Sequence, residues 1–150
     1  MTNIGKWNTP TSILTLLNTG LNALGSNTMS AASSNYDNSA NLNMYCDLEL
    51  TLDTLSPTAG AYCAIYILDA PDGSSFPAQS AADLRLTSTQ LFCVIPIGTT
   101  ASTGQRVSVR NLVLPPALVQ FKLDNQTGVA LASTNNSFLK ILAYNINGNG

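Results

Sequence analysis

The sequence predicts an all-β chain: a single antiparallel β-sandwich, jelly-roll-like, with an N-terminal arm or short helix. Three observations predict it. Residues 42–52 alternate without a break, with Leu42, Met44, Cys46, Leu48, Leu50 and Leu52 in one phase and Asn43, Tyr45, Asp47, Glu49 and Thr51 in the other. Successive strand residues face opposite sides of a sheet, so this is a long strand with one dry and one wet face. Shorter alternations recur at residues 106–110 and 119–123, and turn chemistry separates some seven or eight such segments.

Composition fits one domain and narrows its chemistry. The chain has 150 residues, 45% of them hydrophobic but only 9% charged, against about 25% charged in ordinary soluble domains. Neutral hydrogen-bonding residues fill the gap: 16 Asn, 16 Thr and 15 Ser. Such a surface suits close packing against copies of itself or a large partner, where buried charges are costly. The six basic residues (Lys6, Arg85, Arg106, Arg110, Lys122, Lys140) are scattered and the net charge is −2. Nucleic-acid binding through phosphate neutralisation is therefore not expected. The longest helix-like apolar stretch, residues 13–24, is broken by Asn18, Gly20 and Asn22, too short to span a bilayer, and has no basic n-region before it. Neither a membrane contact nor a signal peptide is expected.

Residues 1–30 read as an N-terminal arm and residues 31–150 as the sandwich. Residues 12–24 place Ile13, Leu16, Leu17, Gly20, Leu21 and Leu24 at helical spacing, with Thr11 or Ser12 as N-cap and Gly25 as stop. The Thr and Asn residues between them weaken a free helix, so the segment is expected as a short helix or as an arm ordered by a partner. Trp7, the only Trp, lies in a polar segment and either docks on the domain or anchors the arm elsewhere. Residues 25–40 are rich in Ser, Asn and Ala and read as extended coil or a weak edge strand.

The long strand ends near Leu55, where Ser56-Pro57-Thr58-Ala59-Gly60 makes a turn. Residues 61–68 are a nearly continuous apolar run and read as a central strand. Pro71-Asp72-Gly73 turns, residues 74–82 form a loop, and residues 84–86 and 91–97 are shorter strands, with Pro96 marking an edge or bulge. Val107, Val109 and Asn111 oppose Arg106, Ser108 and Arg110 until Leu114-Pro115-Pro116 ends the strand. Val119, Phe121 and Leu123 alternate with Gln120, Lys122 and Asp124. Asn125-Gln126-Thr127-Gly128 then turns, residues 129–132 read as a short continuation, and residues 138–146 as a final strand.

Catalytic chemistry finds little to work with. The chain has no His, which removes the commonest general base and metal ligand. Its one Glu, Glu49, shares a strand face with Asp47; the pair reads as a solvated face rather than an acid–base couple. Asp69-Ala70-Pro71-Asp72-Gly73 reads as a turn rather than a calcium loop. Cys46, Cys63 and Cys93 lie among apolar neighbours and read as buried thiols, with a Cys46–Cys63 bridge as the alternative. Tyr45, Tyr62, Tyr66, Phe76, Phe92, Phe121 and Tyr144 read as core residues by default. No enzyme activity, cofactor or metal is expected. The candidate protein-interaction residues are Trp7, Ile13, Leu16, Leu17, Leu21 and Leu24.

Several stretches, taken in order, resemble a family of small tailed-bacteriophage virion proteins. They are Ser12-Ile13-Leu14-Thr15-Leu16-Leu17-Asn18 with Leu21-Asn22, Asp37-Asn38-Ser39-Ala40-Asn41-Leu42, Tyr45-Cys46-Asp47-Leu48-Glu49-Leu50 and Ser56-Pro57-Thr58-Ala59-Gly60-Ala61-Tyr62. Asp72-Gly73-Ser74-Ser75-Phe76-Pro77, Arg110-Asn111-Leu112-Val113-Leu114-Pro115-Pro116 and Asn125-Gln126-Thr127-Gly128 follow. These are turns and strand edges, not catalytic signatures. The cysteines depart from the family's strands, which tend to carry Ala or Val there. The resemblance implies a capsid decoration (cement) protein that binds the assembled head in many copies and stabilises contacts between major capsid proteins. It implies the major capsid protein and copies of itself as partners, a homo-oligomer on the virion, and synthesis in the host bacterial cytoplasm. A tail or neck structural protein, including a receptor-contacting one, and a carbohydrate-binding β-sandwich are the alternatives.

Overall fold

A computed structural model describes residues 6–7, 9–77 and 90–147. Among the described residues eleven strands carry the fold: β1 (Lys6–Trp7), β2 (Leu14–Leu17), β3 (Thr28–Met29), β4 (Tyr36–Asp37), β5 (Tyr45–Leu55), β6 (Tyr62–Ala70), β7 (Leu91–Pro96), β8 (Thr103–Val113), β9 (Leu118–Gln126), β10 (Phe138–Tyr144) and β11 (Ile146–Asn147). One sheet has the order β2-β10-β5-β8; the other has β3-β9-β6-β7, with β4 also on β9. A two-stranded ribbon of β1 and β11 stands apart.

The pairing is nested. β6 pairs with β7, β5 with β8, β4 and β3 with β9, and β2 with β10, all antiparallel, like one long hairpin folded about the connection after Ala70. Rolling that hairpin adds two further pairings, β10 with β5 and β9 with β6. This is the strand order of an eight-stranded jelly roll in which β3 and β4 are two ends of one interrupted strand. The all-β sandwich expected from alternation is the fold observed.

Alternation decides the core. Cys46, Leu48, Leu50 and Leu52 of β5 are buried, as are Leu139, Ile141 and Ala143 of β10 beside it. From the other sheet come Cys63 and Ile65 of β6 and Val119, Phe121 and Leu123 of β9, all in the same apolar cluster. Phe92 meets Phe121 edge to face at a centroid distance of 5.6 Å. β6 lies between β9 and β7, and its consecutive residues Cys63, Ala64 and Ile65 are all buried, as its continuous apolar run requires.

The phase expected from residue 42 onward fails at its start. Leu42 and Met44 are exposed and the strand begins at Tyr45. Residues 38–43 form a loop around buried Asn38, and Leu42 adopts φ 48°, which no strand accommodates. Asn111 also breaks phase. At φ 58° it is an extra residue in β8, where Arg110 and Asn111 together oppose Asp47, so Leu112 rather than Asn111 returns to the core side. Residues 129–132, expected to continue β9, are irregular. The expected strand at residues 84–86 lies outside the described residues.

The N-terminal segment requires the largest correction. Residues 12–24 are not a helix and not a free arm: they form edge strand β2 and a three-residue 3-10 turn, Thr19–Leu21. Thr11 pins the approach, its N–H and hydroxyl both donating to the Ala143 carbonyl at 3.0 and 3.1 Å. Pairing with β10 satisfies backbone groups that a Thr- and Asn-rich helix would hold only weakly.

Residues 25–40 form the interrupted strand. Between β3 and β4, two serines replace the missing ladder. The Leu123 N–H donates to Ser30 Oγ at 3.0 Å and the Phe121 N–H to Ser33 Oγ at 2.9 Å, while the serine amides donate back to the carbonyls of Leu123 and Phe121 at 2.8 Å each. Short hydroxyl side chains do here what an extended backbone does elsewhere.

Candidate functional site

The structure separates the six residues singled out for protein interaction. Leu16, Leu17 and Leu21 are buried in the domain's own core and are not available to a partner. Leu24 packs half-buried against the same cluster. The backbone of Trp7 pairs with Ile146 in the β1–β11 ribbon. Of the six, Ile13 is the one shown on the surface, 65% exposed just before β2. Residues 12–24 carry helical spacing without a helix because an edge strand followed by a turn spaces its inward residues in much the same way.

The groups considered for chemistry are tied down. Asp72 Oδ1 accepts the N–H groups of Ser74 and Ser75 at 2.9 and 2.7 Å, closing a turn; those bonds lower the carboxyl to about 2. Glu49 pairs with Arg106 across β5 and β8, Oε2 to Nη2 at 2.8 Å. Asp47 Oδ1 accepts the Tyr144 hydroxyl at 2.9 Å and the Asn111 N–H at 3.0 Å. Among the described residues, no group of three or more His, Cys, Asp and Glu is placed to hold a metal. All three thiols are free. Burial pushes Cys46 and Cys63 up to about 12 and Cys93 up to about 11, which keeps them protonated and unreactive near neutrality.

What the sequence concealed is an apolar patch at one end of the β5 sheet. Leu42, Met44 and Val113 are 56%, 57% and 71% exposed, and with Tyr45 and Pro116 they line a shallow depression of about 260 Å³. Tyr45 and Val113 are cross-strand partners, and the Met44 N–H donates to Asn145 Oδ1 at 2.7 Å, so the patch rests on three chain segments. Ile146, 44% exposed, follows Asn145 in the chain.

The backbone behind the patch is strained. A leucine at φ 48° sits where its Cβ crowds the following carbonyl, at about 1–2 kcal/mol. The Leu42 N–H is held by the Asn38 carbonyl at 2.9 Å. In turn, Asn38 Nδ2 donates to the carbonyls of Asn43 and Pro115 at 2.8 and 2.9 Å. A buried hub thus fixes a loop whose outward product is a pair of exposed apolar side chains. Alternation put Leu42 and Met44 in the core, so nothing local in the sequence marked them as surface. Comparison with protein-family models and with curated proteins finds no match for this chain.

Proposed function

We propose that the protein is a capsid decoration protein of a tailed bacteriophage, attached to the outside of the assembled head and stapling neighbouring major capsid proteins. The observation that carries this reading is the patch of Leu42, Met44 and Val113. Exposed apolar side chains gathered over a strained, buried-hub loop are a docking feature, because strain at a surface persists where the displayed group is useful. The near-absence of charge supports the same reading, since a surface of Asn, Thr and Ser packs against protein without stranding ions. The resemblance to small phage virion proteins names the shell as partner. Multivalency supplies the strength: weak contacts repeated over a lattice hold firmly.

Co-sedimentation of the purified chain with heads of the phage that encodes it tests this. Met44→Asp and Val113→Asp are expected to abolish binding with the thermal midpoint unchanged, because both side chains face solvent. Leu42→Gly is the sharper variant. Glycine relieves the positive φ, so the fold should gain up to about 1 kcal/mol while head binding falls. Full head binding by all three variants would remove the patch from the function.

A further inference from the structure

A second surface feature lies on the β2-β10-β5-β8 sheet, next along β5 and β8 from the apolar patch. Arg106, Ser108 and Arg110 of β8, Asp47 and Glu49 of β5 and Lys140 of β10 line a cleft of about 250 Å³. Three of the chain's six basic residues and its one Glu therefore converge on one hollow. Ile13 and Leu142 give it an apolar border.

We propose that this cleft binds a sugar acid, a pyranose unit bearing a carboxylate, with Arg110 and Lys140 holding the carboxylate and Asp47 and Glu49 accepting the ring hydroxyls. Only one pair of these charges is spent on itself. Arg106 is engaged by Glu49 at 2.8 Å. Arg110, by contrast, has no ion pair or hydrogen bond among the described residues, and Lys140 has only the face of Phe138, 5.1 Å from Nζ to the ring centre. On the acidic side, Asp47 Oδ1 and Glu49 Oε2 are bonded, while Asp47 Oδ2 and Glu49 Oε1 accept nothing from the described residues. The cleft thus presents free cationic donors beside free carboxylate acceptors.

That mixture selects its ligand. An acidic peptide or a phosphate brings concentrated negative charge against Asp47 and Glu49. A neutral sugar would leave Arg110 and Lys140 without a counter-charge, and the cleft lining has no aromatic ring to stack its face. A sugar acid matches both sets: one carboxylate for the two cations and several hydroxyls, each a donor, for the free carboxylate oxygens. The hollow suits one or two rings, not an extended chain.

The proposal stands apart from the head-binding reading, and its test uses the isolated full chain. Isotope-labelled protein is titrated at low salt near pH 7 with glucuronate, with glucose and with acetate, and amide resonances are followed. Glucuronate should give a saturable shift at outward residues of β5, β8 and β10, glucose none, and acetate one at least roughly tenfold weaker. Arg110→Gln and Lys140→Gln, both at solvent-accessible positions, should each lower glucuronate affinity by about tenfold with the thermal midpoint unchanged. No saturable shift with glucuronate overturns the proposal. So does acetate matching glucuronate, which would mean an adventitious ion only, or shifts confined to the Leu42, Met44 and Val113 end.

Discussion

The side-chain amide of Asn38 reads both main-chain groups of Asn43: its Oδ1 accepts the Asn43 N–H at 2.9 Å while its Nδ2 donates to the Asn43 carbonyl at 2.8 Å. Nδ2 donates as well to the Pro115 carbonyl at 2.9 Å, so one buried side chain ties the loop before β5 to the end of β8. Asn38→Ala should cost about 2–4 kcal/mol, since it strands three groups in a site sealed from water. Asn38→Asp should be no better, because a carboxylate faces two carbonyls it cannot donate to. Urea midpoints check this; a loss under about 0.5 kcal/mol for both would show that the loop is held by other means.

Removal of the N-terminal segment is expected to unfold the protein. A chain beginning at Ser33 lacks β2, Leu16, Leu17, Leu21 and the Ser30 bond to β9. Three buried leucines at about 2–5 kcal/mol each rival the whole stability of a typical domain, about 5–15 kcal/mol. Far-ultraviolet dichroism and a thermal scan decide it. A cooperative melt in the shortened chain would restore the segment to the status of an arm.

Gly128 should be irreplaceable. It adopts φ 81°, and a Cβ there would run into the Thr58 side chain, whose backbone N–H donates to the Thr127 carbonyl at 3.0 Å. Gly128→Ala is expected to lose about 2–4 kcal/mol, the sum of a left-handed alanine and a collision. Adding Thr58→Gly should recover the collision and leave the backbone cost, which a double-mutant cycle measures. Full recovery, or none, would show that the two costs have been divided wrongly.

Alkali should weaken the fold through the thiols. Their folded values, about 12, 12 and 11, lie above the roughly 8.5 of an unfolded cysteine. The unfolded chain therefore releases protons first, and stability present below about pH 8.5 is lost progressively as pH rises toward those folded values. Replacing all three by Ala should flatten that loss. In the native protein at pH 8, a thiol reagent should find Cys46 and Cys63 silent and Cys93, half-buried, slow. Rapid reaction at all three would contradict the burial.

How much of this was legible follows from where each determinant lies. The alternation from Cys46 to Leu52 is local, and it reports the sheet and its faces directly. Leu42 and Met44 carry the same alternation, yet they are outside the strand because Asn38 reaches Asn43 and Pro115, a contact no periodicity encodes. Ile13, Leu16, Leu17, Leu21 and Leu24 fit helical spacing and an edge strand with a turn equally well; β10, far along the chain, decides. Asn125, read only as a turn residue, is a buried hub whose Nδ2 donates to the carbonyls of Leu24, Gly25 and Val129. The apolar patch was hidden for the same reason as the Asn38 loop that shapes it, and the charged cleft because β8 and β10, which supply its cations, come to flank β5 only in the folded sheet.

The nested pairing also sets an order of events. Leu17 meets Leu139 and Leu14 meets Ile141, so β2 has no partner until β10, more than a hundred residues later, has been made. Of the nested pairings, β6 with β7 encloses the shortest stretch of chain and has the lowest closure cost; each pairing outside it encloses more. Folding of such a chain belongs to the slow end, milliseconds to seconds. Until β10 arrives, Leu16, Leu17 and Leu21 remain in water as a sticky surface. The time between synthesis and closure is therefore when this protein is most exposed to misassembly, and a low-charge chain has little repulsion to protect it.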